Sequence, residues 1–305
     1  MSGAGSNGYT VLEPTPAAPP RVSLLTSARV VDDNSREWQN GFAVAPELCL
    51  PQDGPFWWEC PEGAGVDARS STLLSPTGEK GISANEAIVE YRPWMAQVGD
   101  RCSTFGWQAR DFQGRARRAL LASQSRIVET ELLTGAIAQE AGFPNLYLQG
   151  PQTVDLSPGG SSPLVYALAA LQQAIAEGQN GRGMIHATIP TVTLWLAASA
   201  IRRDGNLLVD ALDNIVVPGA GYDGGGPGGT APDPTGETAW AYATGIVEVR
   251  QADVTILPGS LDEALDRASN TIAWRAERTV AAWWDGCVSS AINVNLCETC
   301  CVAAP

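Results

Sequence analysis

Between residues 108 and 142 apolar side chains recur with the period of an α-helix. Leu120, Leu121, Ile127, Val128, Leu132, Leu133 and Ile137 gather on one broad face, and Arg117, Arg118, Glu129 and Glu140 fall largely off it. The spacing predicts one long amphipathic helix over 108–142, interrupted at most by Gly114 and Gly135. At about 1.5 Å per residue it would run roughly 45 to 50 Å and lie across several other elements. Upstream, residues 1–20 hold Gly, Ser, Ala and Pro with almost no charge, too little apolar surface to offset their own ordering entropy, and read as an extended arm. Val22, Leu24, Leu25, Val30 and Val31 could dock as a short strand or helix, with Trp38 and Phe42 as anchors.

From 46 to 84 the pattern dissolves. Pro51, Pro55, Pro61, Pro76 and several glycines exclude a long helix, and so long an irregular stretch points to an excursion that contacts something else. Phe56, Trp57 and Trp58 are either its anchor or a local core cluster. Residues 87–104 read as strand interrupted by Pro93. Beyond the helix, Ser162 reads as an N-cap with Pro163 at the first helical position, followed by helix 164–177, buried strand 184–189, helix 190–201, and strand and loop 207–217. That alternation is an α/β layered subdomain. Residues 219–236, rich in Gly and Pro, read as a mobile exposed loop; without a G-K-[ST] ending they make no phosphate cradle. Strand returns over 238–255, and Ser260 with Glu263 forms a capping box opening a helix over 261–268. Two strands joined at Asp285 and Gly286 over 271–296 would close a sheet that meets the long helix only if the α/β subdomain is an insertion.

Composition narrows the function. The 305 residues carry a net charge of −14 and a pI near 4.5, which argues against an outer surface that coats nucleic acid but leaves room for a local basic patch. No apolar run reaches the roughly 18 to 20 residues of a membrane span, and the start lacks a basic-then-apolar leader, so neither secretion by that route nor membrane embedding is expected. The seven cysteines are scattered, and reduced thiols are the simplest reading. Cys297, Cys300 and Cys301 form a C-x-x-C-C tail open to three readings: structural zinc lacking an obvious fourth ligand, a disulfide, or free thiols. No cofactor is implied. His186, the only histidine, lies in an apolar strand and reads as a satisfied core residue, with no motif for a hydrolase. Lys80 is the only lysine among 19 basic residues; it is either a solvated loop residue or an amine nucleophile, a role arginine cannot fill.

The order of these parts resembles the major capsid proteins of tailed bacteriophages, whose fold is shared with encapsulins. The Glu131-Leu132-Leu133-Thr134-Gly135 and Ala276-Glu277-Arg278 segments look like family features. The resemblance implies an α+β fold divided into an N-terminal arm (1–45), an extended loop (46–86) and a peripheral domain with the spine helix (87–150). It continues with an inserted α/β axial domain (151–254), a peripheral return (255–296) and a Cys-rich tail (297–305). It further implies self-assembly as pentamers and hexamers into an icosahedral virion head, formed in the host cytoplasm around double-stranded DNA. The partners it implies are a separate scaffolding protein, a portal protein and, in some relatives, a decoration protein. Residues 1–45 are too short for a fused scaffold, and the start at Met1 suggests no processed prodomain.

Some family members join subunits by an isopeptide bond between a loop lysine and an asparagine, assisted by a glutamate; Lys80, Asn270 and Glu277 fall in similar parts of this chain, with Asn293 and Asn295 as other asparagines nearby. Arg110, Arg115, Arg117 and Arg118 would meet packaged DNA, a neighbour's acidic surface, or only solvent. An encapsulin-type compartment is the alternative function, and a soluble hydrolase a more distant one.

Overall fold

The computed structural model describes residues 20–44, 49, 70–71, 83–84, 89–103, 111–179 and 181–297. Residues 1–19 of the arm, the Phe56-Trp57-Trp58 cluster, Lys80, Arg110, Cys300 and Cys301 lie outside the described residues. The chain opens with α1 (Leu24–Ser27), β1 (Arg29–Asp32) and β2 (Phe42–Val44). The two-residue strands β3 (Ser70–Ser71) and β4 (Ser83–Ala84) pair with each other, and β5 (Val89–Tyr91) pairs with β2. Then come β6 (Trp94–Ser103), α2 (Phe112–Thr134) and α3 (Ala136–Glu140).

The long apolar period produces two helices rather than one. Asp111 caps α2 by accepting from the Gly114 N–H at 2.8 Å. Gly135 ends it in the left-handed region at φ 60°, donating to the Glu131 carbonyl at 2.7 Å. A side chain at 135 would also collide with the Tyr147 ring, 2.6 Å from the Cβ position, so the break is fixed by conformation and packing together. The 23 residues of α2 span about 35 Å, shorter than the sequence suggests.

The amphipathic reading needs three corrections. Leu120, Val128, Leu132 and Leu133 are buried as expected, but Leu121 is 46% exposed, Ile137 is 37% exposed, and Glu129 is buried at 1%. The C-terminal half of α2 is enclosed on more sides than the N-terminal half, so no single helical stripe describes both.

Next come β7 (Val154–Asp155), α4 (Leu164–Gly178), β8 (Met184–Thr188), α5 (Ile189–Ala197), β9 (Arg202–Asp204), β10 (Leu207–Val209) and β11 (Ile215–Gly219). The remainder is β12 (Thr238–Thr244), β13 (Glu248–Gln251), β14 (Thr255–Leu257), α6 (Leu261–Ala264), β15 (Leu265–Asp266), β16 (Thr271–Trp283) and β17 (Ser289–Asn295). Ser162 does not cap α4. Its N–H donates to the Asn293 carbonyl at 2.7 Å, and Pro163 takes the cap position. Ser260 does cap α6, accepting from the Glu263 N–H.

Two sheets organise the molecule. In the first, β16 is the spine strand, paired along one side with β6 and along the other with β13, β14 and β15, with β1 added parallel to β13. The second has the order β7-β17-β12-β8-β11-β10-β9. The strands expected to form one late hairpin therefore part company: β16 lies in the first sheet, and β17 pairs with β12 and β7 in the second. The chain crosses between sheets at residues 284–288, where Trp284 and Val288 are buried.

Alternation assigns the faces. In the second sheet Ile185, Ala187, Val216, Ala241 and Ala243 face α4 and α5, while Met184, Ile215, Val217 and Tyr242 join the core around α2. In the first sheet Trp94, Ala96, Ile272, Trp274, Ala276 and Val280 belong to that same core. One end of its other face is covered by Trp38, Phe42 and Tyr91 over Ala281 and Trp283.

Cys49 and Cys287 form a disulfide across 238 residues, which corrects the expectation that the thiols are reduced. By chain entropy such a cross-link restricts the unfolded chain by about 5 kcal/mol.

Candidate assembly surfaces

The buried Glu129 carboxylate joins three parts of the chain. It accepts from the Leu24 N–H at 3.1 Å, the Ser125 hydroxyl at 2.9 Å and the Gly221 N–H at 3.0 Å, tying α1 and the segment after β11 to the long helix. Burial raises its pKa, and these donors oppose the rise. Glu131, also raised by burial, accepts from the Ile137 and Ala138 N–H groups at 2.8 and 2.9 Å and so caps α3. Gly221 approaches closely: a Cβ there would sit 2.6 Å from the Arg126 carbonyl and 2.7 Å from the Thr130 nitrogen. The 219–236 loop is thus not the exposed loop its composition suggests. Of residues 219–226 only Ala220 and Asp223 are exposed, with Gly221 set against α2 and Gly226 against Trp240, and most of the remaining exposure falls in 228–237.

With both carboxylates of α2 buried, every exposed charge on the helix is an arginine. Arg115 pairs with Asp100 at 3.3 Å and Arg118 with Asp111 at 3.5 Å. Arg117 and Arg126 have no ion-pair partner among the described residues, and Leu121 lies exposed between them. Burial lowers the pKa of nearby Arg278, and repulsion from Arg117 adds to that effect. Its guanidinium still donates to Gln124 Oε1 at 3.0 Å. In a chain of net charge −14 this stripe is a local exception.

The outer face of the first sheet is open away from the Trp38 cluster. Met95, Gln97, Gly99, Arg101, Ala273 and Arg275 alternate with buried residues, and an open groove of about 870 Å³ runs there beside α6. Of the site residues drawn from the family resemblance, Lys80 lies outside the described residues, and Asn270 and Glu277 lie just before and within β16. Asn270 sits in the exposed turn before β16 with φ 50°, and Glu277 lies mid-strand, paired with Arg275 at 2.9 Å. Seven residues of strand separate them by about 23 Å, so within one chain they do not meet. Asn293 and Asn295 are on β17 in the other sheet.

A second set of exposed apolar residues belongs to the second sheet and its helices: Val154, Val165, Tyr166 (64% exposed), Ile189, Leu196 and Leu212. Sequence periodicity could not single these out, because α4 and α5 are apolar nearly all round. His186 is fully buried, as expected. Thr244 Oγ1 donates to the Gly245 carbonyl and so accepts from His186 Nε2 at 2.9 Å, leaving Nδ1 to accept from the Tyr222 hydroxyl at 2.9 Å. Burial depresses its pKa to about 3, holding it neutral in the core. Among the described residues no helix is long and apolar enough to cross a membrane, and no group of three or more His, Cys, Asp or Glu side chains could hold a metal.

No family model and no curated protein matches the sequence. Solved structures do. A capsid of an empty GTA particle superposes with TM-score 0.53 at 12% identity over 94% of each chain. The chain has the fold of phage capsid and encapsulin shell proteins. The holo-SrpI encapsulin complex from Synechococcus elongatus PCC 7942 matches with TM-score 0.50 at 8% identity, over 94% of this chain and 92% of that one. A structure from Mycobacterium phage Bobi matches with TM-score 0.50 at 14% identity, over 92% and 91%. These matches extend over 92–94% of the chain.

Proposed function

We propose that the chain is a shell subunit, the major capsid protein of a tailed bacteriophage, which assembles as pentamers and hexamers into an icosahedral head around double-stranded DNA. The observation that carries this reading is the full-length fold likeness to a phage-type particle capsid, over 94% of both chains. The exposed apolar residues around α4 and α5 support contacts around a capsomer axis, so we assign the second sheet with its helices, β17 included, as the axial part. The first sheet with α2 is then the peripheral part and 46–86 the extended loop. The unpaired Arg117 and Arg126 fit an acidic surface, either packaged DNA or the carboxylates of a neighbouring copy. A separate scaffolding protein, a portal and, in some particles, a decoration protein complete the set of partners; assembly in the host cytoplasm belongs to the same reading. The role is structural, with no turnover of an outside substrate.

Lys80, Asn270 and Glu277 remain a proposed isopeptide centre. The strand distance between Asn270 and Glu277 means that such a centre would draw its carboxylate from a different copy than its asparagine. An encapsulin-type compartment is the second reading, supported by the likeness to the SrpI complex. Purified particles decide between the two: nuclease-protected double-stranded DNA supports the virion head, and a stoichiometric cargo protein without DNA supports the compartment. Denaturing gels of the same particles test the cross-link. Covalent multimers absent in Lys80→Arg would establish it, and a single monomer band would end it.

A further inference from the structure

β2 ends at Val44 and β5 begins at Val89, and these two residues are register partners, so the 45–88 segment starts and ends at one place on the body. Three residue pairs make that stem, too few for a two-stranded ladder to be firm alone. A second tether stands beside it. Cys49, just past the stem, is bonded to Cys287, with the Cα atoms 4.8 Å apart. Val89 Cγ2 lies 3.4 Å from where a Cβ on Gly286 would be, so both ends of the excursion converge on the 285–287 turn. This turn is the crossover from the first sheet to the second. The end of α4 packs there too: Cys49 bridges Gln179 as an isolated antiparallel pair, and a Cβ on Gly178 would sit 3.1 Å from the Cys287 carbonyl. Both cysteines are only partly buried, within reach of small thiols and disulfides.

We propose that Cys49–Cys287 is a redox-operated lock on the root of the 45–88 excursion. Open as two thiols, it leaves that root, among the described residues, to the short stem; closed, it fixes the root to the junction of the two sheets and α4. Closure needs an oxidant, and a low-molecular-weight disulfide of the glutathione type supplies it by exchange. One cysteine thiolate attacks the small disulfide, forming a mixed disulfide and expelling one small thiolate. The other cysteine thiolate then attacks the mixed disulfide at the protein sulfur, forming the Cys49–Cys287 bond and expelling the second small thiolate. Two protein thiols and one small disulfide become one protein disulfide and two small thiols. In a shell, closure would tie this root to the sheet junction in every subunit; this consequence rests on the shell reading, while the lock itself is a property of the single chain.

The test is hydrogen exchange on the full-length protein in excess dithiothreitol and in oxidised glutathione, with peptide mapping of the disulfide. The lock predicts that, on reduction, amides of Phe42–Val44 and Val89–Tyr91 gain at least about tenfold more in exchange rate than those of Met184–Thr188, which report the global loss of stability alone. Cys287→Ser should behave as reduced in both media; the reduced wild type gives the same reading without a substitution. Equal exchange in the two media, or Cys49 bonded to another cysteine after oxidation, overturns the lock. Oxidised particles should also survive heating that opens reduced ones, and identical opening temperatures would overturn the role in the shell. Failure to obtain particles counts against the shell reading, while the exchange result stands on the subunit.

Discussion

The strands β8 and β6 embody two ways of building a sheet. All five residues of β8 are buried, because α4 and α5 cover one face of its sheet and the core around α2 covers the other. Along the ten residues of β6 buried or half-buried positions alternate with exposed ones, because α2 covers one face and the far end of the other is bare. The central strands of the second sheet are therefore covered on both faces, whereas the first retains a long, half-covered surface. A monomeric enzyme gains little from such a face. A shell subunit needs one, since contacts between copies must be made from surface left open by the fold.

If the two sheets share stability only through α2, the sharpest break comes where the second meets the helix. Gly221→Val should cost about 3 kcal/mol or more, since the added atoms collide with the Arg126 carbonyl and the Thr130 nitrogen. Urea denaturation measures the loss, and hydrogen exchange should show the first sheet deprotected before Met184–Thr188. Equal deprotection of both would mean they form one cooperative unit.

Glu129→Ala should cost about 2 to 3 kcal/mol, because the Leu24 and Gly221 N–H groups lose a buried acceptor. Its signature is early release of α1 in exchange data.

Acid probes the second sheet separately. The folded pKa of His186, near 3, lies below its unfolded value of about 6.5, so the unfolded chain binds the extra proton between those limits. Stability from this group is intact above pH 6.5 and falls by about 1.4 kcal/mol per pH unit below it. Glu129 and Glu131, raised by burial, act in the opposite sense just above their unfolded values, binding protons in the folded state first. His186→Gln should flatten the His contribution in a pH series of urea melts; an unchanged slope would show that another group governs acid sensitivity.

The smallest effect on the subunit should carry the largest effect on assembly. Arg117→Glu combined with Arg126→Glu should change subunit stability by no more than about 0.5 kcal/mol, as both side chains are exposed and unpaired among the described residues. Particle yield should nevertheless collapse. Normal particles from the double variant would remove the stripe from the assembly account.

The sequence was most legible where one physical signal ruled. β8 reads as a buried strand because both its faces are covered, α5 starts one residue before Pro190, and α4 ends at Gly178. It was misleading where tertiary context reversed a local signal. The glycines at 219, 221, 224, 225 and 226 read as exposure but serve close packing beneath α2 and β12. Glu129 reads as solvated yet is buried, because its three donors come from sequence positions as distant as Leu24 and Gly221. The partition of β16 and β17 into different sheets was hidden, since a turn at Asp285 and Gly286 looks the same whether the chain folds back or crosses over. Nothing in the spacing of seven cysteines marked Cys49 and Cys287 as partners, and only the fold brings them together.

The most direct test of the open first sheet as an assembly surface is electron cryomicroscopy of the purified wild-type chain. The account predicts closed shells in which the outer face of β6 and β16 and the exposed arginines of α2 are covered by neighbouring copies or by packaged DNA. Monomers under all conditions, or shells in which both surfaces stay bare to solvent, would contradict it.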